Sequence, residues 1–174
     1  MSLLRNHPDL SRRIRQSLGP HIDAVARKLG RVQYRIRPSE YVGTVTLDIA
    51  DFEERLSEIG FEWDPVSLYH RTPSGTHTNG SWVYRSSRLA DRQLHVILFA
   101  QARDQIDVYA HEEFSWIRHP LKHARHERIR REEGAREMHR VLDRMSVDYY
   151  HEPWPIRKGS HLLQRVRGWD RTGG

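Results

Sequence analysis

Leu94, Val96 and Leu98 alternate with His95, Ile97 and Phe99 along the most apolar stretch of an otherwise polar chain. Both faces of this run are apolar or nearly so, which predicts a strand buried on both sides at the centre of a sheet. After a polar gap at 100–105, of hairpin-loop length, Ile106, Val108 and Ala110 alternate with Asp107, Tyr109 and His111. That pattern predicts a partner strand with one face in the core and one wet. Residues 41–47 read as a further strand, with Gly43 marking a bulge or a close approach. Residues 68–72 and 81–85 flank a loop rich in turn residues and read as a hairpin. Residues 31–37 alternate strictly, with Val32, Tyr34 and Ile36 facing a core and Arg31, Gln33, Arg35 and Arg37 facing out.

Helical spacing is equally plain. Ile49, Phe52, Leu56 and Ile59 fall on one face, with Asp48 or Asp51 as the cap, Gly60 at the C′ position and Asp51, Glu53, Glu54 and Glu58 as an acidic outer face. The longest helix is expected over 121–145, with Leu121, Ala124, Ala135, Met138, Val141, Leu142 and Met145 as its stripe and Gly134 permitting close packing or a bend. Leu10, Ile14 and Leu18, then Ile22, Val25, Ala26 and Leu29, outline an N-terminal helical hairpin broken at Gly19-Pro20. Residues 149–155, with Pro153 and Pro155, read as an extended linker.

These elements predict an α+β fold, an antiparallel sheet of four to six strands with two helices (49–59 and 121–145) packed on one face. The expected core comprises Phe52, Leu56, Leu94, Val96, Leu98, Ile106, Val108, Met138 and Val141. Residues 1–38 form a basic helical arm, 39–148 the α+β core domain and 149–174 a basic tail containing Pro and Trp. The two ends lie outside the sheet-and-helix core.

Charge changes the picture. The net charge is +6 over 174 residues, and only Lys28, Lys122 and Lys158 among the 29 basic residues are lysines. GC-rich coding accounts for an arginine bias spread through the whole chain, while arginine also suits bidentate phosphate contact. Residues 1–37 carry nine basic and two acidic side chains, whereas 38–64 carry one basic and eight acidic. Residues 118–144 are again basic. A chain polarised in this way points to a polyanionic partner, to complementary self-assembly, or to neutralisation within one fold. The residues expected to meet nucleic acid are Arg12, Arg13, Arg31, Arg35, Arg37, Arg125 and Arg128.

The chain has no cysteine, so disulfides, thiolate metal sites and cysteine nucleophiles are excluded. No apolar run approaches the roughly 18 residues of a membrane span, and the first fifteen residues lack the apolar core of a signal peptide. A cytoplasmic location, or one within a virion, is expected, with no membrane contact.

Twelve histidines invite a metal reading. His119, His123 and His126 stand at i, i+4 and i+7, so His111, His119 and His123 form the alternative metal set. The HExxH signature is absent. Neither His95-Val96-Ile97 nor His77-Thr78-Asn79 supplies a two-histidine phosphoesterase motif, and no Gly-x-Ser-x-Gly elbow, P-loop, zinc finger or RNP strand is present.

Ser81-Trp82-Val83-Tyr84-Arg85, Leu89 to Val96, Asp107 to His111 and Trp116 to Pro120 resemble uncharacterised proteins of haloarchaea and their viruses or plasmids, over residues 41–145. The resemblance implies no known activity. Proteins of that setting are usually strongly acidic, and the basic charge here departs from that pattern in favour of a bound or assembled surface. The expected function is therefore a non-enzymatic basic binding or assembly protein of a virus or mobile element. Its partners would be nucleic acid, or homologous or other protein subunits, with a homo-oligomer among the possibilities. No cofactor is expected. The alternative is a His-dependent metallohydrolase such as a nuclease.

Overall fold

The computed structural model describes residues 34–64, 78–102, 104–153, 155–156 and 159. In chain order they form β1 (Tyr41–Val45), α1 (Ile49–Glu58), β2 (Glu62–Trp63), β3 (Gly80–Tyr84), β4 (Arg92–Ala102), β5 (Gln105–Phe114), α2 (Pro120–Ala124), α3 (Arg131–Arg144) and β6 (Tyr149–Tyr150). A short 3-10 turn, Pro38–Glu40, leads into β1. The strands make one antiparallel sheet in the order β2-β3-β4-β5-β1-β6. The expected N-terminal hairpin and the first arm of the 68–85 hairpin lie outside the described residues.

β4 and β5 form the centre, as their apolar content predicts. Their strands run to Ala102 and from Gln105, so the connection is shorter than the 100–105 loop read from the sequence. One face of the sheet carries Leu94, Val96, Leu98, Ile106, Val108 and Ala110, with Val42, Val45 and Trp82 beside them. Phe52 and Leu56 of α1 and Ala135, Met138, Val141 and Leu142 of α3 close over that face. All nine expected core residues belong to this one cluster.

α1 starts where Asp48 accepts a hydrogen bond from the Ala50 N–H at 2.7 Å and ends at Gly60, whose φ of +92° suits glycine. Asp48→Ala should cost about 1 kcal/mol, the usual worth of such a cap, read from the shift of a urea denaturation midpoint. An unchanged midpoint would mean that the cap carries no stability. The acidic outer face expected on this helix is incomplete. Glu53 stands next to Phe52 on the inward side of the 3.6-residue turn, is fully buried, and accepts from Trp82 Nε1 at 3.1 Å.

Three further expectations change. The helix read over 121–145 is two helices. α2 stops at Ala124, and the chain passes through left-handed backbone at His126 (φ 53°) and Arg128 (φ 48°). The Arg130 N–H and carbonyl then pair with the Glu112 carbonyl and N–H at 2.8 and 2.9 Å. The Arg130 N–H, given to Glu112, is lost to any helix running in from 121, so the helix restarts with Arg130 as N-cap, α3 begins at Arg131, and Leu121 is left 70 % exposed. The linker read at 149–155 begins with β6, which pairs with Thr44 and Val45. There Gly43 is the close approach: a Cβ on it would meet Tyr149 Cδ2 at 2.8 Å, and the β1–β5 register shifts beside it.

Finally, the second face of the sheet is not wet. Tyr34, Ile36 and Tyr41 pack on Ile97, Phe99 and Tyr109, so Asp107, Tyr109 and His111 are all buried. Within the described part of the 31–37 run, Arg35 makes a single bridge rather than a strand, yet the alternation persists, with Tyr34 and Ile36 inside and Arg35 and Arg37 exposed. No helix among the described residues is long and apolar enough to cross a membrane.

Candidate functional site

The second face is apolar at one end and titratable at the other. His95 of β4 and His111 of β5 are direct cross-strand partners, and Glu113 lies two residues beyond His111, opposite Gln93. A period of two therefore places His95, His111, Glu113 and Gln93 on one face. His95 Nδ1 lies 3.2 Å from Glu113 Oε1, and His111 Nε2 lies 3.5 Å from Glu113 Oε2. The two imidazoles meet edge-on with centroids 4.9 Å apart. Both histidines are fully buried and the Glu113 side chain is 3 % exposed.

Each of these groups is held from behind. The other nitrogen of His95, Nε2, lies 2.8 Å from Ser81 Oγ on β3. The other nitrogen of His111, Nδ1, lies 2.8 Å from Oε1 of the fully buried Glu40. Glu40 also accepts from the Tyr34 hydroxyl at 2.6 Å and from the Arg37 N–H at 2.5 Å. Gln93 donates to Glu113 Oε1 at 2.8 Å and accepts from Arg85 at 2.7 Å. His123, from α2, brings Nδ1 to 3.4 Å from Glu113 Oε2 and 3.2 Å from the Phe114 carbonyl.

Charge and burial compete in this cluster. Burial alone would depress the His111 pKa, but its hydrogen bonds to Glu113 and Glu40, and their charges, outweigh burial and raise it to about 9. Burial would raise the Glu113 pKa, yet the charges and hydrogen bonds of His95 and His111 hold it well below the usual carboxylate range. Glu40 is lowered in the same way, against burial, chiefly by its hydrogen bond with His111. Burial and the neighbouring Glu40 push the Tyr34 hydroxyl upward, so it stays a donor. Desolvation, with the charges of His123, His111 and His95, holds His126 below the ordinary histidine value.

The three histidines read from the sequence as a metal set do not meet. His111 and His123 both approach Glu113, whereas His119 turns to Asp91, with Nε2 2.6 Å from Oδ1, and lays its ring edge-on against Phe114. His95, Glu113 and Glu40 were not singled out as site residues. The available signal is parity: His95 and His111 stand on strands read as neighbours, and Glu113 keeps the phase of His111 two residues beyond the run read as a strand.

The arginine candidates divide similarly. Arg12, Arg13 and Arg31 lie outside the described residues. Arg35 and Arg37 are exposed on the segment covering the second face, and Arg125 and Arg128 are exposed on the turn between α2 and α3. Tyr34 joins these two places, its ring 5.0 Å from that of His126 and 5.8 Å from the Arg131 guanidinium. Beside them runs an open groove of about 520 Å³, lined by Arg92, Lys122, Arg128 and Arg130 with Asp91, Phe114 and Ile129. Arg92 and Lys122 lie over the Phe114 ring at 4.8 and 4.7 Å. Arg92 also donates to the Arg128 carbonyl at 2.8 Å, bracing the left-handed turn, and pairs with Glu112. Compared with protein-family models, curated proteins and solved structures, the chain matches none.

Proposed function

We propose that the protein binds the sugar–phosphate backbone of nucleic acid through this basic face, as a non-enzymatic binding or assembly component of a virus or mobile element. One observation carries the reading: the contact of Tyr34 with His126 and Arg131 brings the Arg35–Arg37 segment beside the Arg125–Arg128 turn. On this reading the two basic segments, remote in sequence, act as one surface, and Arg128 continues it into a groove with four cationic side chains and one aspartate. Guanidinium groups suit phosphate oxygens by their planar fork. Glu112 engages Arg92 and Arg130, and Arg125 lies 3.6 Å from Glu127, so the exposed Arg35, Arg37 and Arg128 are the better phosphate contacts, with Arg125 beside them on the same turn as Arg128. The resemblance to haloarchaeal virus and plasmid proteins supplies the proposed biological setting.

Binding to duplex DNA should weaken steeply with salt, with a log–log slope of about −0.9 per phosphate contact. The double changes Arg35→Gln with Arg37→Gln, and Arg125→Gln with Arg128→Gln, should each flatten that slope by about two units. Both should weaken unrelated sequences equally, because backbone contacts carry no base information. Anisotropy titrations at two salt concentrations, run beside melting curves, provide the measurement. Absence of binding by the unaltered protein at low salt would overturn the reading. Dissociation of an oligomer by the same substitutions, with DNA affinity unmoved, would favour contact with neighbouring subunits instead. The buried His–Glu cluster beneath this face favours a second reading, a metal-dependent hydrolase such as a nuclease. Cleavage of plasmid DNA with added zinc or manganese, lost on Glu113→Gln, would select it.

A further inference from the structure

We infer that His95 Nδ1, His111 Nε2 and the Glu113 carboxylate form a site for one divalent first-row transition cation, with zinc as the reference case. The inference does not depend on the proposed nucleic-acid contact. It departs from the sequence expectation of no cofactor, and it differs from the His111, His119 and His123 set in two of three ligands.

The arrangement has the features of a built site. The three donor groups come within 4.8 Å of one another, and the two nitrogens lie 3.2 and 3.5 Å from the Glu113 oxygens. Tetrahedral bonds of about 2.0–2.1 Å place ligand atoms roughly 3.3–3.5 Å apart, the spacing that each histidine nitrogen already has to a Glu113 oxygen. Orientation is the stronger argument. Each imidazole brings one nitrogen close to a Glu113 oxygen and the other to 2.8 Å from a support, Ser81 Oγ for His95 and Glu40 Oε1 for His111. A histidine whose far nitrogen is held by a carboxylate or hydroxyl is how proteins fix the ring of a metal ligand. Glu113 is steadied in turn by Gln93, which Arg85 holds.

The donor chemistry narrows the cation. Two imidazoles and one carboxylate, in a chain without cysteine, suit zinc, manganese, iron or nickel rather than magnesium or calcium, which take oxygen ligands. Charge agrees, because two buried carboxylates, Glu40 and Glu113, flank His111, and a dication supplies compensating charge that imidazolium protons must otherwise provide. His123 Nδ1 lies 3.4 Å from Glu113 Oε2, outside the converging three. A metal here would tie the two central strands together just beneath the turn that carries Arg125 and Arg128.

The test uses the full chain without an affinity tag, stripped with chelator and titrated with cobalt, which reports low-coordinate nitrogen and oxygen sites by visible d–d bands. The bands should saturate at about one equivalent per chain and disappear when zinc is added. His95→Gln and Glu113→Gln should each weaken cobalt affinity by at least about 100-fold, more than loss of a mere supporting group costs. His119→Gln should leave it unchanged. A wild-type chain that keeps its circular dichroism spectrum yet shows no saturable bands would overturn the inference, and this holds even where a variant fails to fold. Undiminished bands in folded His95→Gln and Glu113→Gln would overturn it as well. So would their loss in His119→Gln, which would move the metal to the α2 histidines.

Discussion

Gly134→Ala should destabilise the protein by about 3 kcal/mol or more, at or above the upper end of ordinary overpacking costs. On helix propensity alone the change would stabilise α3 by about 1 kcal/mol, so the two arguments predict opposite signs. Packing decides. A Cβ at Gly134 would press into the His111 Cα and carbonyl carbon and the Glu112 nitrogen. These are backbone atoms of the central strand, and no rotamer change moves them aside. The helix must lift instead, drawing Ala135, Met138, Val141 and Leu142 away from the sheet. Urea denaturation of Gly134→Ala beside the exposed neighbour Glu133→Ala reads the difference. A Gly134→Ala protein as stable as the parent would refute the close approach of α3 to β5.

Glu40→Ala should cost about 3–5 kcal/mol in chelator-treated protein at neutral pH, the range for removing one partner of a buried ion pair. Glu40 is fully buried and receives His111 Nδ1, the Tyr34 hydroxyl and the Arg37 N–H. Truncation leaves all three without it in a dry site and exposes His111 to Glu113 alone. Glu40→Gln retains an acceptor oxygen and should cost distinctly less. Because Glu40 anchors the segment 34–41 over the second face, amides of that segment should also exchange faster in Glu40→Ala. A loss below about 1 kcal/mol, the net worth of one ordinary hydrogen bond, would mean that the contact is incidental.

The helical face of the core was legible because periodicity reports burial directly. Leu94, Val96 and Leu98 read as a central strand's residues and Phe52, Leu56, Met138 and Val141 as its helical cover, and all seven meet in one cluster. Gly43, Gly60 and Gly134 were read correctly as positions of close approach or chain reversal. Periodicity failed where polar residues are buried by partners distant in the chain. Asp107, Tyr109 and His111 look like a wet strand face until Tyr34, Ile36 and Glu40 are folded across it. Glu53 looks solvated until Trp82 finds it. Similarly, the break at 125–130 arises from Arg130 pairing with Glu112, a contact across eighteen residues that no local propensity encodes. Helical spacing therefore grouped His119 with His123, while strand pairing groups His95 with His111.

Among the described residues the outermost strands of the sheet, β2 and β6, are each two residues long. A chain seeking to join by strand addition would find almost no continuous ladder of N–H and C=O groups there. Incoming peptides would gain little from backbone pairing, and end-to-end growth of the sheet from copy to copy is disfavoured. On the proposed reading, association runs through side chains, by the charge of the exposed Arg35, Arg37, Arg125 and Arg128, rather than through intermolecular β-structure. Complexes built in this way dissolve in salt and re-form on its removal, whereas strand-exchanged ones do not.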